Sequence, residues 1–441
     1  MNIMIVGAGS VGYFLAQGLS YKHDVIIVDK NIDKLRKIDE NLDILTLHGD
    51  IQNPDIYDSL HFNSIDIFIA VTDSDEANLL STLIIDEAVE VKKKIIRLKN
   101  EHFLNSSILK RINIDDAVFP DILIAQKVKA LFDFPKVNNV KEFVQFEQKL
   151  ISIKIHYDGK NRYFVNDLVD RGLFIVGIER EKSFFIPLLD EELKEKDLIY
   201  LFGDGKIVKE VSLNLDCKMP KQIENVVIFG ANKSAQNIAK SLKCKELEIK
   251  MIEKDINLCN EASEFLQDGV SIINASFGEH ELFESEKLKY ADMVIAASEN
   301  DEKNIVKCIE ARGYGIEKVV ALNNDSAYYG LMHQLGIVVV RGSKVATRYY
   351  IMDNISSSSI VSVQRFCGGL AVMFIRKIYP NSKLISFTLK APKFHKFHIY
   401  QIRDKQIFQV EDFKPLIEND TIVLFGAVEN EEEMHKWIYS L

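Results

Sequence analysis

Three glycines close to the start of the sequence have the spacing of a phosphate-binding turn. The turn follows the apolar run 2–6 and consists of Gly7, Ala8, Gly9, Ser10, Val11 and Gly12. The first glycine of such a turn permits a tight bend, the second lets the backbone approach a pyrophosphate, and the third lets the helix pack closely on the strand. A helix that starts here also offers N–H groups and a partial positive charge to phosphates. The spacing predicts an adenine-nucleotide site, with a ligand-free tight turn as the alternative.

An acidic residue ends the next apolar run. Residues 25–28 form that run, and Asp29 follows directly. A carboxylate at this place accepts hydrogen bonds from both hydroxyls of a ribose and repels a 2′-phosphate. We therefore expect NAD(H) or an adenine nucleotide to bind better than NADP(H). The order strand, glycine turn, helix, strand and acidic residue is the context that the glycine motif requires.

The elements that would position these residues are visible as short apolar runs that alternate with helix-like stretches. The runs lie at 2–6, 25–28, 44–47, 66–71, 95–98 and 117–119. Parallel strands need helical crossovers, so the alternation predicts a doubly wound parallel sheet. The stretch 143–202 consists of short alternating runs separated by turn residues, which predicts a small β-rich module. The expected fold class is α/β, a Rossmann-like unit followed by a small α+β module.

The same pattern then begins again. Glu253 follows Asp29 by 224 residues, and 298–304 repeats the pattern of 72–78 after 226 residues. Two landmarks with nearly one offset indicate a tandem duplication. The expected segments are Rossmann-like units at 1–134 and 224–350 and small modules at 138–216 and 360–441. The serine run 356–359 is expected to be a flexible hinge.

Length and composition exclude several classes of protein. The chain has 441 residues, too many for one ordinary core, and its net charge of −10 argues against a nucleic-acid-binding surface. No apolar run approaches the roughly 18 residues that cross a bilayer. Met1 leads almost directly into the first strand, so no signal peptide is expected. The cysteines are expected to be reduced thiols of a cytosolic protein, without metal or disulfide. They are Cys217, Cys244, Cys259, Cys308 and Cys367.

With these motifs the sequence resembles the TrkA family, cytosolic regulatory subunits of Trk-type bacterial potassium uptake that are built from two RCK (KTN) units. The resemblance extends over essentially the whole chain. Its most specific marks are the glycine turn with Asp29, the pair 49–50, the stretch 70–78, Arg97 and the stretch 171–178. The resemblance implies a regulatory ligand, NAD(H) and/or ATP/ADP, and a potassium-translocating multi-span membrane partner. It further implies a homotetramer or dimer at the inner face of the plasma membrane.

The resemblance also implies roles for four further residues of the first unit. Asp50 would lie near the adenine, whereas Thr72, Asp73 and Arg97 would face the phosphates. The chemistry of the residues agrees in part, because Arg97 can pair with a phosphate through two hydrogen bonds and Thr72 offers a hydroxyl at the end of a strand. Asp73 is an unusual choice beside a phosphate, since its charge would repel the ligand. It could cap the following helix instead.

The second unit departs from this pattern. Asn232 replaces the second glycine and Ala235 the third, and Asn323 stands where the first unit has Arg97. The pair 274–275, Asn-Ala, is expected at the position of Gly-Asp 49–50. Side chains in the turn narrow the approach of a phosphate, and the cation that would pair with the phosphate is missing. Glu253 could still hold a ribose, but the site is expected to be weakened or empty.

Two rival functions remain open at this point. A nicotinamide-dependent oxidoreductase needs an acid or base beside the cofactor, and nothing in the sequence nominates such a group or any other catalytic residue. A scaffold with two vestigial sites would bind no nucleotide. The pair His395 and His398 points to opposite faces of a strand, so a metal site is not expected there.

Overall fold

The computed structural model describes residues 1–58, 64–143, 145–157, 162–276, 281–355, 361–390 and 397–441. The expected hinge at 356–359, the first residue of the predicted segment 360–441, and His395 lie outside the described residues. The chain divides into two compact units. The first comprises Met1–Leu123 and Gly342–Ile355, and the second comprises Ile124–Arg341 and Ser356–Leu441.

The first unit contains a parallel sheet whose strands all lie within residues 2–118. In spatial order the strands are Leu45–His48, Asp24–Asp29, Asn2–Val6, Ile67–Ala70, Lys94–Arg97 and Asp116–Val118. Every pairing between these neighbours is parallel. Each strand begins and ends within one residue of the apolar run that predicted it. The central strands are apolar and buried because helices cover both faces of such a sheet, and the predicted Rossmann-like fold is confirmed.

The helices of the first unit connect these strands. They are Ser10–Leu19, Ile32–Asp39, Asp55–Asp58, Asp75–Ala88 and Ile108–Arg111, with a 3-10 turn at Glu101–Phe103 and a short parallel strand pair at Ser64–Ile65 and Glu90–Val91. The sequence specifies several of their starts. The side chain of Ser74, for example, accepts a hydrogen bond from the Ala77 N–H at 3.1 Å and so caps Asp75–Ala88.

The second unit contains a second parallel sheet of the same topology. Its strands are Ser271–Asn274, Glu248–Glu253, Asn225–Phe229, Met293–Ala296, Lys318–Asn323 and Val338–Arg341 in spatial order. All pairings are parallel here too. The strand order therefore repeats in the second half of the chain, as the tandem duplication predicts.

Two antiparallel sheets complete the second unit. The first, in spatial order, consists of Asn139–Lys141, Lys149–Lys154, Leu198–Gly203, Phe174–Arg180 and Ser183–Phe185. The second consists of Ser362–Phe366, Ala371–Lys377, Thr421–Ala427, Phe397–Arg403 and Gln406–Phe408. Each has a hairpin on either side of a central strand that comes last in sequence. The small β-rich module is thus duplicated as well, and the predicted fold class is confirmed for both of its components.

The helices of the second unit are of ordinary globular length. They are Val165–Val169, Gly205–Leu215, Lys233–Leu242, Ile256–Leu266, Leu282–Ser285, Asp301–Gly313, Tyr329–Gln334 and Glu431–Ser440. Pro120–Asp133 belongs to it from Ile124 onward. Short 3-10 turns lie at Leu288–Tyr290, Ser326–Tyr328, Cys367–Gly369, Val410–Asp412 and Val428–Asn430. Throughout the described ranges, no helix combines the length and apolar character needed to cross a membrane.

One helix comes to the first unit from far along the chain. Ser343–Asn354 follows the second parallel sheet in sequence but belongs to the first compact unit. There the Tyr349 ring meets the Phe14 ring edge-on at 6.1 Å, and the guanidinium of Arg348 lies 4.8 Å from the centre of the same ring. The helix of the glycine turn is therefore covered by a distant segment. The four predicted segments, which place this helix in 224–350, stay a prediction.

Candidate functional site

The first and third glycines of the turn are required by the fold itself. Gly7 has φ +105°, a conformation that side chains rarely adopt, and a Cβ there would lie 3.1 Å from the Thr72 backbone nitrogen. A Cβ on Gly12 would lie 1.9 Å from the Gly7 carbonyl oxygen. Neither position therefore tells whether a ligand binds, because the packing of strand and helix alone excludes a side chain.

Gly9 is different, because its missing side chain leaves space that the protein does not use. It precedes the helix Ser10–Leu19 with an ordinary extended backbone, φ −71° and ψ −175°. A Cβ on Gly9 would meet no atom within 4 Å among the described residues. Nor does a side chain from the described part of the chain cap this helix. The helix start is thus uncapped within the described structure and has free space beside Gly9, the arrangement that a phosphate needs.

Asp29 lies beside the turn at the end of the second strand. Its side chain is buried, its Oδ2 accepts the Ala8 N–H at 2.7 Å, and its Oδ1 accepts the Asn31 N–H at 2.8 Å. The carboxylate therefore holds the turn, a structural role that the sequence alone did not reveal. Two oxygens offer about four acceptor positions, so this role leaves acceptor capacity for ribose hydroxyls.

Arg97 ends the fifth strand on the expected phosphate side. Only 6% of the residue is exposed, and its Nη1 donates to Asp73 Oδ1 at 3.0 Å. Its Nε is buried and, within the described residues, has no hydrogen-bond partner. A buried guanidinium with an unmatched donor is a site where an anion gains both charge and hydrogen bonds. This geometry fits a phosphate.

Asp73 is the partner of Arg97 and not the cap of the following helix. That cap is Ser74, so the alternative expected for Asp73 is wrong. Partial burial alone would raise the pKa of Asp73, but the hydrogen bond and charge of Arg97, with Lys99 and Lys344 nearby, lower it below its ordinary value. The Asp73 side chain is 80% exposed. It can therefore turn into solvent and leave Arg97 to another anion.

Two lysines near Asp73 were missed by sequence reasoning. Lys99 donates from Nζ to the Asp73 carbonyl oxygen at 2.7 Å. Lys344 comes from the helix Ser343–Asn354 and contributes positive charge at Asp73. Lys99 follows Arg97 by two residues and could have been included on that ground. Lys344 lies far along the sequence, and no local pattern connects it with the site.

Thr72 is held by Asn78. Its hydroxyl donates to Asn78 Oδ1 at 2.7 Å, and its backbone N–H donates to the same oxygen at 3.0 Å. The Asn78 amide in turn donates to the Arg97 carbonyl oxygen at 2.8 Å. Thr72 lies at the expected edge of the sheet, but its hydroxyl proton reaches a phosphate only if this bond is exchanged.

Asp50 lies at the same edge of the sheet as Asp29. The strand pairing sets Asp29 opposite His48, and the Gly49 N–H donates to the Asp29 carbonyl oxygen at 3.1 Å. The Asp50 side chain is exposed and accepts the Gln52 N–H at 3.0 Å. Its position is compatible with the expected contact to an adenine.

In the second Rossmann-like unit, a side chain occupies the space that corresponds to the one left open by Gly9. The Asn232 side chain accepts the Ala235 N–H at 3.0 Å and donates to the Ala297 carbonyl oxygen at 2.8 Å. It thereby caps the helix Lys233–Leu242 with the chain's own amide. Glu253 repeats the structural role of Asp29, since its Oε2 accepts the Ala231 N–H at 3.1 Å.

The phosphate side of the second unit is also altered. The counterpart of Arg97 is Leu322, because Asn304 donates to the Leu322 carbonyl oxygen as Asn78 does to that of Arg97, and Ala296 pairs with Ala321 as Ala70 pairs with Ile96. The sequence predicted Asn323, which lies one residue further on and whose Oδ1 accepts a hydrogen bond from Arg341 Nη1 at 2.9 Å. The Arg341 guanidinium lies 3.4 Å from the centre of the Tyr329 ring. A cation is therefore present near Asn323, contrary to the expectation from sequence. It comes from the next strand and is engaged by an amide and an aromatic ring.

A second correspondence between the units was also predicted one residue out of register. Glu253 pairs with Asn274 as Asp29 pairs with His48. The Ala275 N–H donates to the Glu253 carbonyl oxygen at 3.0 Å, as that of Gly49 does to Asp29. Asn274 and Ala275 therefore correspond to 48–49, and Ser276 stands where the first unit has Asp50. The conclusion that the second unit lacks this carboxylate is unchanged.

Comparisons with known proteins identify a family and a similar fold. The family described as "TrkA-N domain" matches residues 3–120 and 226–341. The chain is 23% identical to "Trk system potassium uptake protein TrkA homolog 1" of Methanosarcina mazei, over 99% of this chain and 100% of that protein. It is 26% identical to "Trk system potassium uptake protein TrkA homolog" of Archaeoglobus fulgidus, over 88% of each. The structure "GsuK channel bound to NAD" has a similar fold, with a TM-score of 0.60, 16% identity and coverage of 100% of this chain and 79% of that chain.

Proposed function

The chain belongs to the TrkA-N domain family, which matches more than half of its length, and from this premise we propose that it is the nucleotide-sensing regulatory subunit of a potassium-uptake system. The ligand is NAD(H) or an adenine nucleotide, bound by the first unit. The relatives named as Trk potassium-uptake proteins, similar over 88–99% of this chain, support the role in potassium uptake. The protein acts by binding and is not an enzyme.

The observation that carries this proposal is the open start of the helix Ser10–Leu19. Gly9 leaves that helix uncapped within the described residues, whereas Asn232 caps its counterpart in the second unit. At the same edge of the sheet two strands end in Asp29, with spare acceptor capacity, and in Arg97, with a buried donor that lacks a partner in the described structure. These three features match the phosphate, ribose and charge of one nucleotide.

The residues of the first unit would act together when a nucleotide binds. The N–H groups after Gly9 and the guanidinium of Arg97 hold the phosphates, while Asp29 accepts the ribose hydroxyls. Arg97 exchanges the carboxylate of Asp73 for a phosphate, and Asp73 turns toward Lys99 and solvent. A ligand shifts an equilibrium only if it binds one arrangement better than another. The exchange at Arg97 is a local change that a ligand-free site does not make.

The partner in this proposal is a multi-span potassium-translocating subunit. The chain would be a homotetramer or a dimer that reaches the cytoplasmic face of the membrane through this protein contact. Its duplicated, inequivalent halves provide two similar faces for repeated contacts between subunits. Binding of nucleotide would then change the potassium flux of the partner.

Calorimetric titration of the purified chain with NAD, NADH, ATP, ADP and NADPH tests the ligand. We expect saturable binding of at least one of the first four, and weaker binding of NADPH because of Asp29. Tighter binding of NADPH would contradict the assignment of Asp29, and absence of all binding would favour the scaffold. Turnover of NADH with carbonyl substrates would favour the oxidoreductase. Flux through the partner in vesicles, with and without the bound nucleotide, tests regulation.

A further inference from the structure

A cluster of side chains with metal-binding atoms lies in the compact unit that comprises Ile124–Arg341 and Ser356–Leu441. Glu179 comes from the strand Phe174–Arg180, His333 from the helix Tyr329–Gln334, and Cys367 from the turn after Ser362–Phe366. The three side chains offer an oxygen, a nitrogen and a sulfur that all lie within 4.8 Å of one another. They are separated by 154 and 34 residues in the sequence, which is why no motif revealed them.

The atoms are close enough to share one ion. Glu179 Oε2 lies 2.6 Å from His333 Nε2 and 3.1 Å from Cys367 Sγ, and the sulfur lies 4.0 Å from the His333 nitrogen. Tetrahedral zinc, with bonds of about 2.0–2.3 Å, places such atoms about 3.3–3.6 Å apart. The observed distances fall on both sides of this range. Shifts of less than about 1 Å, within the reach of side-chain rotation, would complete the geometry.

The backbone around Cys367 is shaped for this approach. Cys367 itself has φ +52°, and Gly368 follows with φ +63°. A Cβ on Gly368 would lie 2.6 Å from His333 Cδ2, so the turn presses directly against the histidine ring. A cysteine in this conformation is an uncommon outlier, and such outliers concentrate at ligand clamps and functional sites.

We propose that Glu179, His333 and Cys367 bind a zinc ion. Thiolate, imidazole and carboxylate are the protein ligands of zinc, whereas calcium and magnesium prefer oxygen alone. Binding replaces the S–H bond of Cys367 by an S–Zn bond and releases the proton to solvent. This inference goes beyond the proposed nucleotide-sensing function and does not depend on it. It also revises the expectation that the cysteines hold no metal.

The surroundings of the cluster suit three protein ligands and one open position. A cavity of about 400 Å³ borders all three side chains, so a water molecule can supply the fourth ligand. The side chain of Tyr200 lies close to the sulfur of Cys367. Lys154 contributes one positive charge near Glu179. The carboxylate and the thiolate together balance the two charges of the ion.

The competing interpretation is a hydrogen-bonded trio that needs no metal. In that case the carboxylate of Glu179 simply accepts from the histidine and from the thiol, as the distances of 2.6 and 3.1 Å also allow. Burial would raise the pKa of Glu179, but the bond and charge of His333 lower it. Only the metal interpretation requires the sulfur to be deprotonated and bonded to an ion, and this difference can be measured.

The test uses the full chain after removal of metals with a chelator. Zinc is titrated in competition with a chromophoric chelator, and cobalt(II) serves as a spectroscopic probe of the same site. We expect one equivalent of tightly bound metal. Cobalt should give the near-ultraviolet charge-transfer band of a thiolate ligand and the visible absorption of a tetrahedral ion.

Cys367→Ser and His333→Gln should each weaken zinc binding by at least about 100-fold, because even residues behind the ligands cost 10- to 100-fold. Cys259→Ser, which changes another buried cysteine, and Cys244→Ser, which changes an exposed one, are the matched controls and should keep the site. Circular dichroism checks folding, and Glu179→Gln replaces any variant that does not fold. No bound zinc in the wild-type chain, or a thiolate–cobalt band that survives Cys367→Ser, would overturn the proposal.

Discussion

The two Rossmann-like units share one framework and differ at the positions that a nucleotide would touch. In both units an aspartate accepts the N–H groups after the fifth strand of the parallel sheet, Asp75 in the first and Asp301 in the second. In both an asparagine, Asn78 or Asn304, bridges the ends of two strands. Both units keep these contacts although they differ elsewhere at the site. We therefore assign the contacts to the stability of the fold.

The differences concern the start of one helix and the charge opposite it. Gly9 leaves the helix start open, whereas Asn232 occupies the equivalent place with its own side chain. Arg97 has a buried donor that finds no partner among the described atoms, whereas Arg341 of the second unit rests on Tyr329 and donates to Asn323. The comparison separates the contacts that the two Rossmann-like units share from the features that only the first unit has, which are the ones proposed to bind the ligand.

Removal of Arg97 should have the largest effect on nucleotide binding. Charged hydrogen bonds contribute about 1.5–3 kcal/mol each, so Arg97→Ala should weaken nucleotide binding by at least about 100-fold. Arg341→Ala is the matched control in the second unit and should leave that affinity within about twofold. Isothermal titration calorimetry measures both, and equal losses in the two variants would show that the units do not differ in the proposed way.

Transfer of the cap from the second unit to the first should have the next largest effect. In Gly9→Asn the new side chain can accept the N–H of residue 12, as Asn232 accepts that of Ala235. We expect nucleotide affinity to fall by about tenfold or more, because the cap replaces a phosphate contact of about 1.5–3 kcal/mol. Thermal stability should be unchanged or higher. Gly9→Ala adds a side chain that cannot cap the helix. It therefore separates the effect of steric crowding on nucleotide affinity from the effect of capping. Undiminished binding by Gly9→Asn would refute the role of the open helix start.

Buried lysines that begin the fifth strand of each parallel sheet extend the comparison to pH. Lys94 of the first unit pairs with Asp86, whereas Lys318 of the second donates to the carbonyl oxygens of Phe134, Pro135 and Val137. Complete burial lowers the pKa of Lys318 to about 7, with Asp216 opposing the shift. Between this value and the ordinary lysine pKa the unfolded chain binds more protons than the folded chain. Stability should therefore rise with pH in this window.

The slope from one such group is at most about 1.4 kcal/mol per pH unit. Urea unfolding of the wild-type chain and of Lys318→Met between pH 7 and 9 measures it as a difference. Lys318→Met should lose the increase in the free energy of unfolding with pH that Lys318 contributes. Lys94→Met should retain this increase. Parallel pH profiles for the wild type and Lys318→Met would contradict the lowered pKa.

Removal of the cap in the second unit should have the smallest effect. Replacement of an asparagine cap by glycine costs only a few tenths of a kcal/mol, so Asn232→Gly should barely change the free energy of unfolding. It should not create a second strong nucleotide site, because Leu322 still stands in the place of Arg97. A newly acquired site in calorimetry would mean that the cap alone distinguishes the two units.

The sequence predicted the features that depend on local periodicity and on glycine. Strands of the first sheet, the duplication and the turn at Gly7, Gly9 and Gly12 follow from runs and spacings that are short in sequence. The sequence did not predict that Ser343–Asn354 joins the first unit, nor therefore that Lys344 lies near Asp73. It also missed the contact of Arg341 with Asn323 and the cluster around Cys367. All of these are created by tertiary packing, where residues meet that no local pattern connects.

Stoichiometry of nucleotide binding tests the central claim most directly. Calorimetric titration of the full wild-type chain with whichever of NADH, NAD, ATP and ADP binds best should give one strong site per chain. In Arg97→Ala that site should be lost, and in Arg341→Ala it should remain. Two equivalent sites per chain, or a single strong site that persists in Arg97→Ala and disappears in Arg341→Ala, would contradict the assignment of the ligand to the first unit.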